Sequence, residues 1–142
     1  MAIEINLDAT NCIAGRLASY VAKQALLGHT VNIFNSEKAI MSGNPTAVRL
    51  KYFHRIFETG QPNKGPFISR MPDRFLRRMI RGMVEHKQGR GGEAYERIMC
   101  YIGVPIAFKD KKLISIGKKI EELPSLKYQT IGHLCTSLGG RI

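Results

Sequence analysis

The first 35 residues carry the pattern of a strand, a helix and a second strand, and this pattern restricts the fold more than any other feature of the chain. Residues 3–8 (IEINLD) alternate apolar and polar side chains, as a strand with one buried face does. Residues 13–27 place alanine, leucine and valine on one side at helical spacing, and Gly28 predicts the end of that helix. Residues 31–35 (VNIFN) predict the second strand. Because a helix that connects two strands in this way makes them parallel, the predicted fold class is α/β.

The sequence after residue 43 predicts further helices and short strands. Asn44 and Pro45 are residue types that favour the start of a helix, which we place at about 45–57. Pro72 fits the first turn of a third helix. The other predicted elements are a short strand piece at 39–41, an extended Gly- and Pro-rich loop at 58–71, a short helix at 93–102, strands at 113–116 and 128–131, and a last helical turn or two at 133–138. The length of 142 residues suits a single domain, which we expect to span 1–142.

The segment 70–91 (RMPDRFLRRMIRGMVEHKQGRG) holds six arginines and one lysine against two acids. Placing residues 72–84 on a helix at about 100° per residue separates apolar side chains from arginines. The apolar side consists of Phe75, Leu76, Met79, Ile80 and Met83, and the opposite side of Arg74, Arg77, Arg78 and Arg81. The apolar side is therefore predicted to dock on the core, while the opposite side presents four guanidinium groups.

The net charge of +11 is concentrated in the middle third of the chain. Residues 44–92 contain eleven Lys and Arg residues but only three acids. Such an excess favours a polyanionic partner, with nucleic acid ahead of an anionic membrane surface. We therefore predict a basic helix–loop region at about 44–92.

Two interpretations of the arginine side compete. It could be a solvated surface on which Asp73 and Arg77 pair at i,i+4 spacing, but three arginines would then lack a local acid. Phosphate binding is favoured because the arginines coincide with a glycine-rich segment that carries Lys87 and Arg90. A face made almost only of arginine suits backbone and shape contacts rather than a base code, which favours folded RNA over DNA. The charge pattern and the helical spacing together nominate Lys51, Arg55, Lys64, Arg70, Arg74, Arg77 and Arg78 as RNA contacts.

The chain lacks the patterns of several other protein classes. Its three cysteines form no Cys-x-x-Cys pair and its four histidines show no ligand spacing, so we expect no disulfide framework, metal site or cofactor. The turn at 8–15 contains neither Gly-x-Gly-x-x-Gly nor a Walker lysine motif, which leaves a nucleotide-using enzyme as a remote alternative with no catalytic residue to name. Without an apolar leader or membrane-spanning run, we expect a cytoplasmic protein with no membrane partner and no small-molecule substrate.

Several short motifs occur in a specific order and spacing between residues 8 and 105. They are Asp8-Ala9-Thr10, Gly15-Arg16-Leu17-Ala18-Ser19, Val31-Asn32-Ile33-Phe34-Asn35-Ser36-Glu37 with Ser42-Gly43, Arg81-Gly82-Met83, His86-Lys87, Arg90-Gly91 and Tyr101-Ile102-Gly103-Val104-Pro105. Together they resemble the family of large-subunit ribosomal protein thirteen. The chain has neither the insertion of bacterial members after the first helix nor the long basic C-terminal extension of eukaryotic members, so it is most similar to the archaeal form.

The resemblance implies a three-layer α/β/α domain with a small, mostly parallel four-stranded sheet. It also implies a structural protein of the ribosome that binds large-subunit rRNA early in assembly, as a monomer beside neighbouring ribosomal proteins. Carried over by position, the rRNA contacts are Arg81, His86, Lys87 and Arg90. Glu85 stands where the family usually has proline, which adds an acid and removes a rigid φ from the basic loop. A free regulator that binds RNA or DNA outside the ribosome remains the alternative.

Overall fold

Three parallel strands lie at the centre of the structure, a computed structural model that describes residues 1–116 and 119–142. The elements along the chain are β1 (Glu4–Asp8), α1 (Ala14–Leu26), β2 (Thr30–Phe34), β3 (Ile40–Ser42), α2 (Pro45–Phe53) continued by a π-helical turn (His54–Glu58), α3 (Pro72–Arg81), α4 (Gly89–Glu96), β4 (Ile98–Cys100), β5 (Tyr128–Thr130) and α5 (Ile131–Ser137). The strand order is β1-β2-β4, and both pairs are parallel. The predicted strand–helix–strand unit and the α/β class are confirmed.

The two faces of this sheet differ in polarity. Leu7, Val31 and Ile33 are fully buried on one face, in the same apolar core as the alanine-rich side of α1 and the apolar sides of α3 and α4. The opposite face is polar near its centre, where the Asn32 side-chain amide donates to Asn6 at 3.1 Å and to Glu4 at 3.0 Å. The three helices therefore share one side of the sheet.

An aromatic cluster covers the far end of the polar face. Phe34 stacks on Tyr101 with ring centroids 5.3 Å apart, and Phe108 contacts both rings. Phe108 belongs to a short 3-10 turn rather than to a helix of the kind expected for a second helical layer. In the described part of the chain, this segment takes the place that the predicted three-layer arrangement gives to helices.

The predicted four-stranded sheet is not found, because the candidate strand at 113–116 makes only one bridge. Ile114 donates to Asn6 O at 2.9 Å and accepts from Asp8 N at 3.0 Å, beside the free edge of β1. The Ser115 hydroxyl lies 3.8 Å from the Cys12 sulfur and continues no ladder with β1. Among the described residues, the central sheet therefore has three strands, with Ile114 as a single bridged residue beside β1.

A second, two-stranded sheet lies outside the central one. Strands β3 and β5 are antiparallel, and α5 begins directly after β5 with the Thr130 hydroxyl accepting from His133 N at 3.2 Å. Residues Ile131 and Leu134 of α5 are fully buried in the main core. The predicted strand at 128–131 and the last helical segment are confirmed within one to two residues.

The start of α2 is capped as its sequence predicts. The Asn44 side chain accepts from Thr46 N at 3.1 Å, and Pro45 occupies the first helical position. No residue of α2 is buried, so this helix lies on the surface. Among the described residues, no helix is both long enough and apolar enough to cross a lipid bilayer.

Asp8, at the end of β1, ties the first two strands together. Its carboxylate accepts from Thr10 N at 3.0 Å, from the Thr10 hydroxyl at 2.7 Å and from the Asn35 amide at 3.0 Å. Burial alone would raise the pKa of Asp8, but these hydrogen bonds and the charge of Lys38 outweigh it and hold the pKa below its ordinary value of 3.8.

This depressed pKa predicts a stability contribution that acid removes. The contribution is present above the unfolded-state pKa and is lost as the pH falls through the lower folded-state pKa. Asp8→Asn should therefore lower the free energy of unfolding in urea near neutral pH, and the difference from wild type should close as the pH falls below 3.8. A difference that stays constant down to the most acidic pH at which the protein folds would contradict this role.

Candidate nucleic-acid interface

Helix α3 is amphipathic in the way its sequence predicts. Phe75, Leu76 and Ile80 are buried in the core, and Met79 packs against it. Met83, predicted on the same side, lies beyond the end of the helix and is 42% exposed, with its sulfur 3.6 Å from the Ser19 hydroxyl of α1. The apolar side of the helix therefore ends one turn earlier than the periodicity suggests.

Arg77 is engaged within the protein rather than facing solvent. Its Nε donates to Ile98 O at 2.9 Å, its terminal nitrogen donates to Tyr95 O at 3.3 Å, and its guanidinium lies 4.3 Å from the Tyr95 ring centroid. The expected alternative partner, Asp73, forms no ion pair with it among the described residues. Arg77 thus joins α3 to α4 and β4, so we leave it out of the contacts proposed below, and its assignment as an RNA contact stays a prediction from the sequence.

Arg78 lies at the other end of the arginine side. One terminal nitrogen donates to Phe67 O at 3.3 Å, which holds the 58–71 loop against α3. Arg78 also lines a groove between α2 and α3, together with Arg55. Arg78 therefore supports the fold and still offers charge at the surface.

Arg74 and Arg81 occupy the middle of the arginine side and point away from the core. Within residues 1–116 and 119–142, neither guanidinium donates a hydrogen bond to protein. Arg81 lines a concave surface of about 320 Å³ together with His86 and Lys87 from the turn that follows α3. The structure thus brings together three of the four contacts that the family resemblance implies.

The fourth of these contacts, Arg90, lies on a different element from the one predicted. The sequence predicts a helix only over 93–102, but α4 already begins at Gly89, and 98–100 form β4. Arg90 is consequently in the first turn of α4, with a terminal nitrogen 3.4 Å from Leu26 O. It lines a groove with Lys23 of α1, a basic residue that the charge count of 44–92 missed. The helical spacing of α1 places Lys23 opposite the buried alanines, and this spacing could have predicted that Lys23 lies at the surface.

The turn between α3 and α4 is fixed by a backbone contact. Gly91 is buried, and a Cβ at this position would collide with the carbonyl oxygen of Glu85 and lie 3.0 Å from its Cα. The same carbonyl accepts from Gln88 N at 2.9 Å. The backbone thus holds the turn despite the acidic residue at position 85, whose side chain is exposed next to His86 and Lys87.

The remaining predicted contacts lie on α2 and the loop after it. Lys51, Arg55 and Lys64 are exposed. Arg70 is half-buried, with its guanidinium 4.8 Å from the Phe57 ring centroid. Part of the Arg70 side chain therefore packs against the protein, whereas Lys51, Arg55 and Lys64 are available to a partner.

The comparison with known families identifies the relationship of this chain. The family model described as "Ribosomal protein L13" matches residues 3–107. The chain belongs to the ribosomal protein L13 family. This is a family of structural proteins, so the chain is not an enzyme.

Archaeal members of the L13 family match almost the whole chain. A protein of Methanococcoides burtonii is 40% identical over 136 residues, covering 95% of this chain and 97% of the relative. Those of Methanosarcina barkeri and Haloarcula marismortui are 41% and 38% identical, covering 95% and 96% of this chain and 97% and 91% of the relatives. All three are named "Large ribosomal subunit protein uL13". The resemblance to the archaeal form is confirmed.

Nothing in the described part of this L13-family chain resembles a metal or nucleophile site. Its residues contain no group of three or more His, Cys, Asp or Glu side chains that could hold a metal ion. Burial raises the pKa of Cys100 and of Cys135 to about 12, so both remain protonated at neutral pH.

Proposed function

We propose that this chain is a structural constituent of the large ribosomal subunit in the cytoplasm, where it binds and stabilises folded large-subunit rRNA early in assembly. It acts as a single-domain monomer beside neighbouring ribosomal proteins. Its family and the printed names of its relatives support the ribosomal role. The concave surface formed by Arg81, His86 and Lys87 is the observation that carries the RNA-binding part of the proposal.

The electrostatics of that surface favour a phosphate chain. Arg74 and Arg81 follow each other along one side of α3 without a hydrogen bond to any described residue, so their donors are available to phosphate oxygens. Glu58, one of the three acids in the basic region, is already paired with His54 at 2.7 Å. The rRNA contacts proposed here are Lys51, Arg55, Lys64, Arg70, Arg74, Arg78, Arg81, His86, Lys87 and Arg90.

Salt should weaken RNA binding steeply. If about six to ten phosphates are neutralised, the affinity of the isolated protein for a large-subunit rRNA fragment should fall by roughly three to five decades between about 50 and 200 mM salt. Filter binding or fluorescence anisotropy across this range measures the slope. A complex whose affinity is insensitive to salt would contradict binding through this surface.

Sedimentation of a native cell lysate tests the ribosomal role. A structural constituent should follow the large ribosomal particle in constant proportion through a sucrose gradient. A free RNA- or DNA-binding regulator would instead be found mainly in the light fractions. That distribution would overturn the structural assignment while leaving RNA binding intact.

A further inference from the structure

A groove of about 410 Å³ separates the surface helix α2 from α3. Its apolar walls include Tyr52, Phe75 and Met79, and the rings of Tyr52 and Phe75 meet edge to face with centroids 5.0 Å apart. The volume is in the range of about 300–1,000 Å³ that is usual for sites binding a small organic group. The phosphate contacts described above leave this apolar surface without a partner.

Two arginines line the groove, and none of the described acids does. The Arg55 guanidinium lies 5.7 Å from the Tyr52 ring centroid, so it is held near the groove while its side chain stays exposed. Arg78 is fixed by its hydrogen bond to Phe67 O and keeps its other donors. The groove therefore combines an apolar wall that contains two aromatic rings with two positive charges, which complements a ligand that has an aromatic plane and an anionic chain.

The groove is continuous with the proposed phosphate-binding surface. Gly82, directly after α3, lines both the groove and the concave surface that contains Arg81, His86 and Lys87. A polynucleotide that crosses the concave surface thus has an apolar cavity of base size beside its path.

We propose that this groove binds the base of one unpaired RNA nucleotide, whose neighbouring phosphates contact Arg55 and Arg78. The inference rests on the proposed function, because it assumes that an RNA chain follows the basic surface. Bases outside a duplex gain affinity by stacking on aromatic side chains, and this gain depends little on sequence because every base has a π face. An acidic peptide would pair with the charges of Arg55 and Arg78. It would not provide a planar group to pack against the Tyr52 and Phe75 rings.

The test compares an adenosine hexaribonucleotide with an abasic ribose-phosphate strand that has the same number of phosphates. Both strands should bind the full-length protein with the same salt slope, but the adenosine strand should bind about tenfold more tightly or better. In protein with methyl-labelled methionine, the adenosine strand should shift the Met79 methyl resonance upfield through the ring current of the base, and the abasic strand should not. Met99, an exposed residue of β4 that lines neither the groove nor the concave surface, is the internal reference.

A variant that fills the groove gives an independent readout. Gly82 has ordinary helical angles (φ −66°, ψ −14°), and a Cβ there would make a normal contact at 3.5 Å to Met79 O, so Gly82→Leu is tolerated by the backbone. It should reduce the advantage of the adenosine strand to about onefold, and any effect of the added side chain on the adjoining concave surface should change the affinities of both strands equally. Ala47→Leu adds the same side chain to an exposed position of α2 outside the groove and should change neither.

The outcomes separate this inference from the proposed function. Equal affinity for the two strands, with no shift at Met79, would overturn the groove assignment while leaving phosphate binding in place. Failure of both strands and of an rRNA fragment to bind would overturn the proposed function itself. Displacement of the adenosine strand by an acidic peptide that produces its own shift at Met79 would assign the groove to a protein partner and overturn the nucleotide proposal.

Discussion

Gly91→Ala should destabilise the protein by about 3 kcal/mol or more, because the new methyl group would occupy the position of a backbone oxygen. A Cβ at position 91 collides with the carbonyl of Glu85, and this carbonyl is fixed by its hydrogen bond from Gln88. Flexible side chains can move away from an added methyl group, but backbone on both sides of the contact cannot do so cheaply. Relief requires that α4 and the preceding turn separate.

Gly89→Ala is the matched control, two residues earlier in the same helix. A Cβ at position 89 meets nothing within 4 Å, and alanine favours the helical state over glycine by up to about 1 kcal/mol. Gly89→Ala should therefore leave the free energy of unfolding in urea unchanged or raise it slightly, whereas Gly91→Ala lowers it strongly. If both variants unfold within about 0.5 kcal/mol of each other, the close approach of α4 to the turn is not present in solution.

The same contact has a functional consequence, because it positions His86 and Lys87. Both residues lie within the turn that Gly91 supports and line the concave surface with Arg81. We therefore expect Gly91→Ala to weaken binding of an rRNA fragment even under conditions in which the variant remains folded. Gly89→Ala should bind the fragment as wild type does.

This turn also indicates where prediction from the sequence stops. Glycine has low helix propensity, so Gly89, Gly91 and Gly92 predict a loop rather than the first turn of a helix. The preference is overridden by packing, since only glycine allows α4 to approach the Glu85 carbonyl. The contact joins Gly91, which has no side chain, to the backbone of Glu85, six residues earlier. Such a contact produces no periodic pattern of apolar residues in the sequence.

The strands show a similar division. The alternation of residues 3–8 and the alanine side of α1 correctly predict parallel β1 and β2, because burial on one face determines both patterns. At 113–116 the apolar run predicts a fourth strand, but only Ile114 reaches the edge of β1. The spacing of apolar residues indicates that a segment is partly buried. It does not determine how many backbone hydrogen bonds the segment makes to a neighbouring strand, because this number depends on the path of the chain after the segment.

The arginine side of α3 was correctly located by its helical spacing, but spacing does not reveal which guanidinium groups are already bound. The acceptors of Arg77 lie 18 and 21 residues further along the chain, and that of Arg78 lies 11 residues before it. Arg74 and Arg81 have no such acceptor among the described residues. Four identical side chains on one helix are consequently predicted to have different functions.

Arg77→Ala and Arg81→Ala should separate stability from RNA binding. Removing Arg77 leaves the carbonyls of Ile98 and Tyr95 without its donors and removes the stacking on the Tyr95 ring, which should cost about 2–3 kcal/mol of unfolding free energy. Removing Arg81 breaks no hydrogen bond to a described residue, so stability should change by less than about 0.5 kcal/mol. Urea unfolding of both variants measures this difference.

RNA binding should respond in the opposite order. Arg81→Ala removes one cation from the phosphate-binding surface, so affinity for the rRNA fragment should fall and the salt slope should decrease by about one. Arg77→Ala, measured where it is fully folded, should keep the salt slope of wild type because its guanidinium faces backbone carbonyls. Arg74→Ala, at an exposed position of the same helix, should behave like Arg81→Ala. A reduced salt slope in Arg77→Ala without loss of stability would show that Arg77 leaves the carbonyls of Ile98 and Tyr95 to bind phosphate. The assignment of Arg77 to stability and of Arg81 to RNA binding would then be wrong.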